Sequence, residues 1–124
     1  MHNKKSSYIF FFTPAIGWGI LICYFSLLPS AEIPNSLISV QDFILHFLIY
    51  SALGMLLYFG ANRYTMQKLP AKGLQKILAI CVSLGLSLEI LQELFAAGRH
   101  FELSDILFNT LGAMVVLLLH QRTH

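Results

Sequence analysis

Three stretches of this sequence carry polar side chains at the spacing of one helical turn. In the first, Asp42, His46 and Tyr50 are four residues apart, so a helix would place them on one face. A carboxylate and an imidazole one turn apart are groups that can move protons in acid–base catalysis or bind a cation. The chemistry of this face depends on which other side chains reach it.

The other two stretches lie in the second half of the chain. Glu89, Gln92 and Glu93 have the spacing i, i+3 and i+4, and Asp105 and Asn109 are one turn apart. With a rise of about 1.5 Å per residue, we expect His46, Glu93 and Asn109 to lie within about 5–10 Å of the outer end of their helices, with Glu89 about a turn deeper. The pattern therefore predicts polar residues from three helices at one depth.

The charge in this region is unbalanced. A carboxylate as deep as Glu89 costs about 2.5–3.5 kcal/mol to insert into lipid, so it needs a partner. Arg99 is the first candidate for that partner and His46 is the second. Four acids lie near this one arginine: Glu89, Glu93, Glu102 and Asp105. The negative surplus requires that some carboxyl groups are neutral or that a cation fills the site.

Two interpretations of these residues remain open. In the first, they only stabilise helix packing, with Arg99 clamping a turn and Asn109 bonding across the bundle. Ser104 and Asp105 then cap the last helix, as a Ser-Asp pair before an apolar run indicates. In the second, which we favour, they form a functional site, because packing seldom needs so many ionisable groups together. The candidate site comprises Asp42, His46, Glu89, Gln92, Arg99, Asp105 and Asn109, supported by Ser26, Tyr50 and Glu93.

The type of reaction, if any, stays open. A histidine with carboxylates can bind a divalent cation, but no HExxH or comparable spacing occurs, so the sequence predicts no metal and no cofactor. Acid–base catalysis would use Glu89 or His46 as the base and Arg99 to hold an anionic group. Ser26 is the only candidate nucleophile, and whether the protein is an enzyme is left undecided.

The composition indicates that membrane-spanning helices position these residues. Of the 124 residues, 56% are hydrophobic and 11% are charged, with a mean hydropathy of +0.69, whereas about 25% of a soluble domain is charged. The length fits a single domain over residues 1–124. A net charge of +2 with no basic, aromatic face argues against nucleic acid as a partner. The sequence predicts an all-α protein whose partner is the lipid bilayer.

Four apolar runs are long enough to cross a hydrocarbon core, which takes about 20 helical residues. The predicted spans cover about residues 8–28, 43–60, 74–97 and 103–119. Leu28 to Ser36 contains two prolines and forms the first loop. Asn62 to Gly73 forms a polar, basic connection, and Gly98 with Arg99 opens a short turn. These elements predict a bundle of four transmembrane helices.

Basic residues predict the orientation, because cytoplasmic loops carry an excess of Lys and Arg. Seven of the eight basic residues lie at ends that we place in the cytoplasm: Lys4, Lys5, Arg63, Lys68, Lys72, Lys76 and Arg122. The opposite loops hold Arg99 and the acids Glu32, Asp42, Glu102 and Asp105. We therefore predict cytoplasmic N- and C-termini and a polar site that faces outward.

Cysteines and small residues give two further predictions. Cys23 and Cys81 lie in apolar runs towards opposite sides of the membrane, so we expect no disulfide between them. Ala79, Ser83 and Ser87, at i, i+4 and i+8, have the spacing of a close helix contact in lipid. We expect this stripe to face a neighbouring helix.

Three segments resemble the signatures of the VanZ-like integral membrane proteins. They are FSLLP at 25–29, DFILHFLIY at 42–50 and EILQELFAAGRHFELSDILFNTLG at 89–112. The resemblance covers essentially the whole chain and points to Ser26, Pro29, Asp42, His46, Tyr50, Glu89, Gln92, Arg99, Asp105, Asn109 and Gly112. Phe43 stands where the family often has lysine, immediately after the aspartate of the second signature.

The resemblance implies a multi-pass protein of the bacterial plasma membrane with a role in the cell envelope. The family takes its name from an accessory determinant of low-level resistance to the glycopeptide teicoplanin in Gram-positive bacteria. We expect the outward site to bind or modify an outer-leaflet lipid or a cell-wall precursor. A structural or assembly protein is the first alternative. A small transporter is the second, although Ser83 and Ser87 are the only conspicuous polar groups below Tyr50 in the second and third helices.

Overall fold

A computed structural model of the chain describes residues 4–29, 42–66, 69–96, 98 and 102–122, with the side chains of 4–8, 42 and 43 left out. All regular elements in these ranges are α-helices: α1 (Lys4–Ser26), α2 (Asp42–Thr65), α3 (Ala71–Phe95), α4 (Leu103–Ala113) and α5 (Val115–Arg122). Met114 joins α4 to α5 with a φ of -68° and a ψ of -12°, which keeps the backbone helical. The predicted all-α class is confirmed.

Four helical segments are long and apolar enough to cross a membrane: Ile9–Ser26, Ile44–Thr65, Ala71–Phe95 and Leu103–Arg122. The predicted number of spans is therefore confirmed, but the predicted connection over residues 62–73 is wrong at both ends. The α2 helix continues to Thr65, and α3 already begins at Ala71. Helical hydrogen bonds do not require apolar side chains, so the ends of both helices extend into polar sequence that hydropathy assigns to a loop.

The α2 helix lies at the centre of the bundle, where it contacts α1, α3, α4 and α5. The α1 helix is peripheral, because only 11% of its spanning segment is buried, against 33% for α2. Apolar side chains such as Ile20 and Leu48 are exposed on the outside of the bundle. Such residues face hydrocarbon in a membrane, so their exposure is not unfavourable.

Glycines permit the closest approaches between helices. A Cβ on Gly112 of α4 would lie 3.1 Å from the backbone nitrogen of Ser51 on α2, and a Cβ on Gly60 of α2 would lie 2.8 Å from the carbonyl oxygen of Phe11 on α1. Both contacts are with backbone, which cannot rotate away. The sequences of α1, α2 and α4 therefore pack through small residues, as helices in lipid commonly do.

The predicted packing stripe on α3 is wrong. Its residues Ala79, Ser83 and Ser87 are all exposed, and the small residue that faces a neighbour is Gly85, beside Asn109 of α4. Several faces of this helix carry small or apolar residues, so spacing alone did not identify the packed one. The prediction for the cysteines is confirmed, because Cys23 and Cys81 are both free thiols.

The two ends of the bundle differ in charge. Phe11 packs against Tyr64, and the hydroxyl of Tyr58 lies 2.9 Å from Nδ1 of His120. These contacts bring the first turns of α1 together with the ends of α2 and α5. We call this end the basic end, because its described charges include Arg63, Lys72, Lys76 and Arg122. At the opposite end, which we call the acidic end, are Glu89, Glu93, Glu102 and Asp105.

Candidate functional site

Side chains from three helices meet in the interior of the acidic end. His46 comes from α2, Glu89 from α3, and Asp105 and Asn109 from α4. Glu89 is 1% exposed, Asn109 is 2% exposed and Asp105 is 6% exposed, while His46 is half-buried. We call these four residues the polar cluster. The cluster confirms that α2, α3 and α4 bring polar groups to one depth.

The imidazole of His46 lies between the two polar side chains of α4. Its Nδ1 is 2.8 Å from Oδ1 of Asn109, and its Nε2 is 3.6 Å from Oδ2 of Asp105. A carbonyl oxygen only accepts hydrogen bonds, so Nδ1 donates its hydrogen to Asn109. The neutral ring then presents the lone pair of Nε2 to the Asp105 carboxylate. The separation of 3.6 Å exceeds that of a hydrogen bond, so the contact is an ion pair when the ring is protonated.

Glu89 lies where α4 begins. The backbone N–H of Glu102, the residue before the first helical residue, faces Oε2 of Glu89 at 3.5 Å. The N-terminus of a helix leaves unbonded N–H groups and carries a partial positive charge, so a carboxylate at this place is favourable. Part of the insertion cost of Glu89 is thus offset by α4 itself.

The predicted cap of the last helix is wrong. The N-cap residue is Glu102, and it makes no side-chain cap hydrogen bond. Ser104 is exposed, and Asp105 lies in the first turn with its side chain directed to His46. The helix nevertheless begins at Leu103, where the predicted span begins, and the carboxylate that faces its start comes from Glu89 on another helix.

The polar cluster contains three groups that can donate electron pairs to a cation. One atom each from His46, Glu89 and Asp105 can be chosen so that all three lie within 4.8 Å of one another. The donors come from α2, α3 and α4, so no short spacing in the sequence could reveal them. Chemically, this arrangement can accept protons, bind hydrogen-bond donors or hold a cation.

The other predicted site residues divide into three groups. Gln92 and Tyr50 are buried, each 2% exposed, and Ser26 is half-buried. Glu93 is exposed, whereas Glu89, four residues earlier on α3, is buried, because residues i and i+4 share a helix face only roughly. The side chain of Asp42 and the whole of Arg99 lie outside the described residues.

Two features of the site were not anticipated from the sequence. Gly85 lies directly against Asn109, since a Cβ there would be 2.7 Å from Nδ2. That amide nitrogen is buried and has no hydrogen-bond partner among the described residues. The sequence contained one signal for this contact, because Gly85 precedes Glu89 by one helical turn and therefore lies on the same face of α3. At the basic end, the buried Tyr58 and His120 form a second polar contact that no spacing had indicated.

Comparison with known proteins identifies the family. The model of the VanZ/LLP1 family matches residues 7–122, which is nearly the whole chain. No curated protein and no solved structure matches the chain. The matched range includes the signatures at 25–29, 42–50 and 89–112, and the last two of these contain all four residues of the polar cluster. This four-span membrane protein belongs to the VanZ/LLP1 family.

Proposed function

We propose that this protein acts on the bacterial cell envelope by binding, through its polar cluster, the head group of an outer-leaflet lipid or a lipid-linked cell-wall precursor. Occupancy of this site lowers the access of a glycopeptide such as teicoplanin to its target. The acidic end then faces the outside and the basic end faces the cytoplasm, in agreement with the distribution of Lys and Arg.

One observation carries the proposal: two buried acids and a half-buried histidine lie together with a buried amide whose nitrogen has no hydrogen-bond partner among the described residues. Ionisable side chains within a membrane bundle are rare and commonly mark functional pathways or binding sites. A network that served packing alone would satisfy its buried polar atoms. The amide nitrogen of Asn109 is buried without a partner among the described residues. A ligand is favoured where hydrogen-bonding capacity remains unused.

The position of the cluster fits a lipid ligand better than a transport path. It lies near one end of the bundle, where head groups meet the hydrocarbon region. Between the cluster and the basic end, the core contains Leu53, Ala113 and Val116, each at most 3% exposed. Ser83 and Ser87, which a path might have used, are exposed on the outside of the bundle. These observations give no support to a path across the bundle.

A second function is favoured by a specific contact. The Glu102 amide faces Glu89 at 3.5 Å, which suits a purely structural role in which Glu89 joins α3 to the start of α4. The substitution Glu89→Gln separates the two functions, because glutamine keeps an oxygen that accepts this hydrogen bond but removes the charge.

The test uses a glycopeptide-susceptible Gram-positive host that produces the wild-type protein, Glu89→Gln, His46→Gln or the control Glu93→Gln. Glu93 is on the same helix as Glu89 and is exposed, so Glu93→Gln removes the same charge as Glu89→Gln but outside the cluster. We expect the wild type and Glu93→Gln to raise the inhibitory concentration of teicoplanin, and the two cluster variants to lose this effect at equal protein level and melting temperature. Unchanged resistance in both cluster variants, or no resistance from the wild type, contradicts the proposal.

A further inference from the structure

We propose that His46, Glu89 and Asp105 bind one divalent transition-metal ion, Zn²⁺ or Mn²⁺, inside the acidic end. The three side chains come from α2, α3 and α4 and offer one imidazole nitrogen and two carboxylate oxygens. Imidazole and carboxylate are common ligands of these metals. A three-residue site leaves a coordination position for water or for an oxygen of a ligand.

The distances suit a shared ion better than a direct bond. Bonds of about 2.0–2.2 Å from a tetrahedral zinc ion place two ligand atoms about 3.4 Å apart. The separation of 3.6 Å between Nε2 of His46 and Oδ2 of Asp105 is close to this value, and it is too long for a hydrogen bond. The remaining ligand atoms lie within 4.8 Å, so a contraction of at most about 1.4 Å would complete the set.

Asn109 orients the nitrogen ligand. Histidines that bind metals usually donate their second ring hydrogen to an oxygen, which fixes the tautomer and the direction of the ring. Here Nδ1 of His46 donates a hydrogen bond to Oδ1 of Asn109 at 2.8 Å. The lone pair for a metal ion is therefore on Nε2, which faces Asp105. Asn109 is 2% exposed, and a Cβ at position 85 would lie 2.7 Å from its Nδ2, so the close approach of Gly85 leaves the amide little room to turn.

Burial of the two carboxylates also favours a cation at this place. The carboxylates of Glu89 and Asp105 are 1% and 6% exposed and lie within 4.8 Å of each other. A divalent ion bound between two carboxylates attracts both of them, and this attraction is stronger in a medium of low dielectric constant than in water. A bound ion would also give an acidic site the positive charge needed to hold a phosphate oxygen, and only this consequence rests on the proposed function.

The experiment measures metal binding to the full chain without an affinity tag, purified in detergent and freed of metal by a chelator. Zn²⁺ is titrated in competition with a chromophoric chelator, and Mn²⁺ is added for pulsed electron paramagnetic resonance. We expect one ion per chain and a nitrogen coupling from a single imidazole. The variants are His46→Gln, Glu89→Gln and Asp105→Asn, with His120→Gln and Glu93→Gln as controls outside the cluster.

Each cluster variant is expected to abolish tight Zn²⁺ binding, and His46→Gln to remove the nitrogen coupling, while both controls bind as the wild type does. Asn109→Ala is expected to weaken binding about 10–100-fold, the usual effect of losing an outer partner of a ligand. Absence of a stoichiometric site in the wild type overturns the proposal, as does a nitrogen coupling that survives in His46→Gln.

Two features of the experiment allow it to decide whether the metal site exists. If cluster variants fail to fold, the wild-type titration and its nitrogen coupling, compared with His120→Gln, still decide whether the site exists. Neither measurement contains lipid or teicoplanin, so a negative result leaves the proposed envelope function standing, and a loss of resistance in cells does not by itself bear on the ion.

Discussion

His46 and Asn109 form a hydrogen bond of 2.8 Å across α2 and α4, although 63 residues separate them in the chain. The bond fixes one ring nitrogen of His46 and directs the other to Asp105. It also ties the two most closely packed helices together at the acidic end. The same contact therefore bears on the stability of the bundle and on the chemistry of the cluster.

Asn109→Ala should destabilise the bundle. The substitution leaves the half-buried Nδ1–H of His46 without its acceptor, which we expect to lower the free energy of unfolding by about 1–2 kcal/mol. The measurement is reversible unfolding by a denaturing detergent in mixed micelles. Thr110→Val is the control on the same helix, because among the described residues the hydroxyl of Thr110 bonds only to the carbonyl oxygen of Ile106, within α4 itself. Equal stability of Asn109→Ala and the wild type would show that the bond contributes nothing.

Gly112→Ala should be strongly unfavourable. The added methyl group would meet backbone atoms of α2, including the nitrogen of Ser51 at 3.1 Å, and neither helix can yield without a shift of backbone. We expect the free energy of unfolding to fall by about 1–3 kcal/mol, as overpacking of a close contact does. Gly17→Ala is the matched control, because no atom of another helix in the described part of the chain lies within 4 Å of its added methyl group. A Gly112→Ala protein that unfolds like Gly17→Ala contradicts the close approach of α2 and α4.

Tyr58 and His120 should be coupled at the basic end. The hydroxyl of the fully buried Tyr58 is 2.9 Å from Nδ1 of His120, so Tyr58→Phe and His120→Leu each remove the same hydrogen bond. A double-mutant cycle is expected to give a coupling energy of about 0.6 kcal/mol and at most about 1.7 kcal/mol, the range found between transmembrane helices. Tyr24→Phe, at an exposed tyrosine, is the control for loss of a hydroxyl. Strict additivity of the two substitutions would argue against the bond.

Labelling of introduced cysteines tests the orientation in the membrane. Glu102→Cys lies at the acidic end and Lys72→Cys at the basic end, and both positions are exposed. If the positive-inside distribution is obeyed, a membrane-impermeant maleimide added to intact cells labels Glu102→Cys, and it labels Lys72→Cys only after the membrane is opened. The native Cys23 and Cys81 lie within spans and can remain. The reverse pattern of labelling places the polar cluster on the cytoplasmic side.

The positions of individual residues show how much of the candidate site could be predicted from the sequence. The helical spacing predicted two polar faces, one with Asp42, His46 and Tyr50 and one with Asp105 and Asn109. In the structure, His46, Tyr50, Asp105 and Asn109 face the interior of the bundle. Glu89 and Gln92 were also placed correctly in the interior, whereas Glu93 is exposed. A polar side chain in an apolar helix is a strong signal, because lipid penalises it unless it faces the bundle.

Small residues gave a weaker signal. Ala79, Ser83 and Ser87 have the spacing of a packed stripe and face outward, while Gly85, between them in sequence, faces Asn109. Lipid does not penalise an exposed alanine or serine enough to decide which way a helix rotates. The prediction of the α4 cap was wrong for a related reason. The carboxylate that faces the start of α4 belongs to Glu89 on α3.

The sequence by itself determined the number of spans, the all-α class and the family, because each depends on hydropathy or on local motifs along one helix. The tertiary structure alone decided that His46, Glu89 and Asp105 converge within 4.8 Å and that Asn109 orients the imidazole. Rotation of each helix about its axis and its depth against its neighbours set these distances. Both are fixed by contacts between helices, such as Gly112 against α2, which no single segment contains.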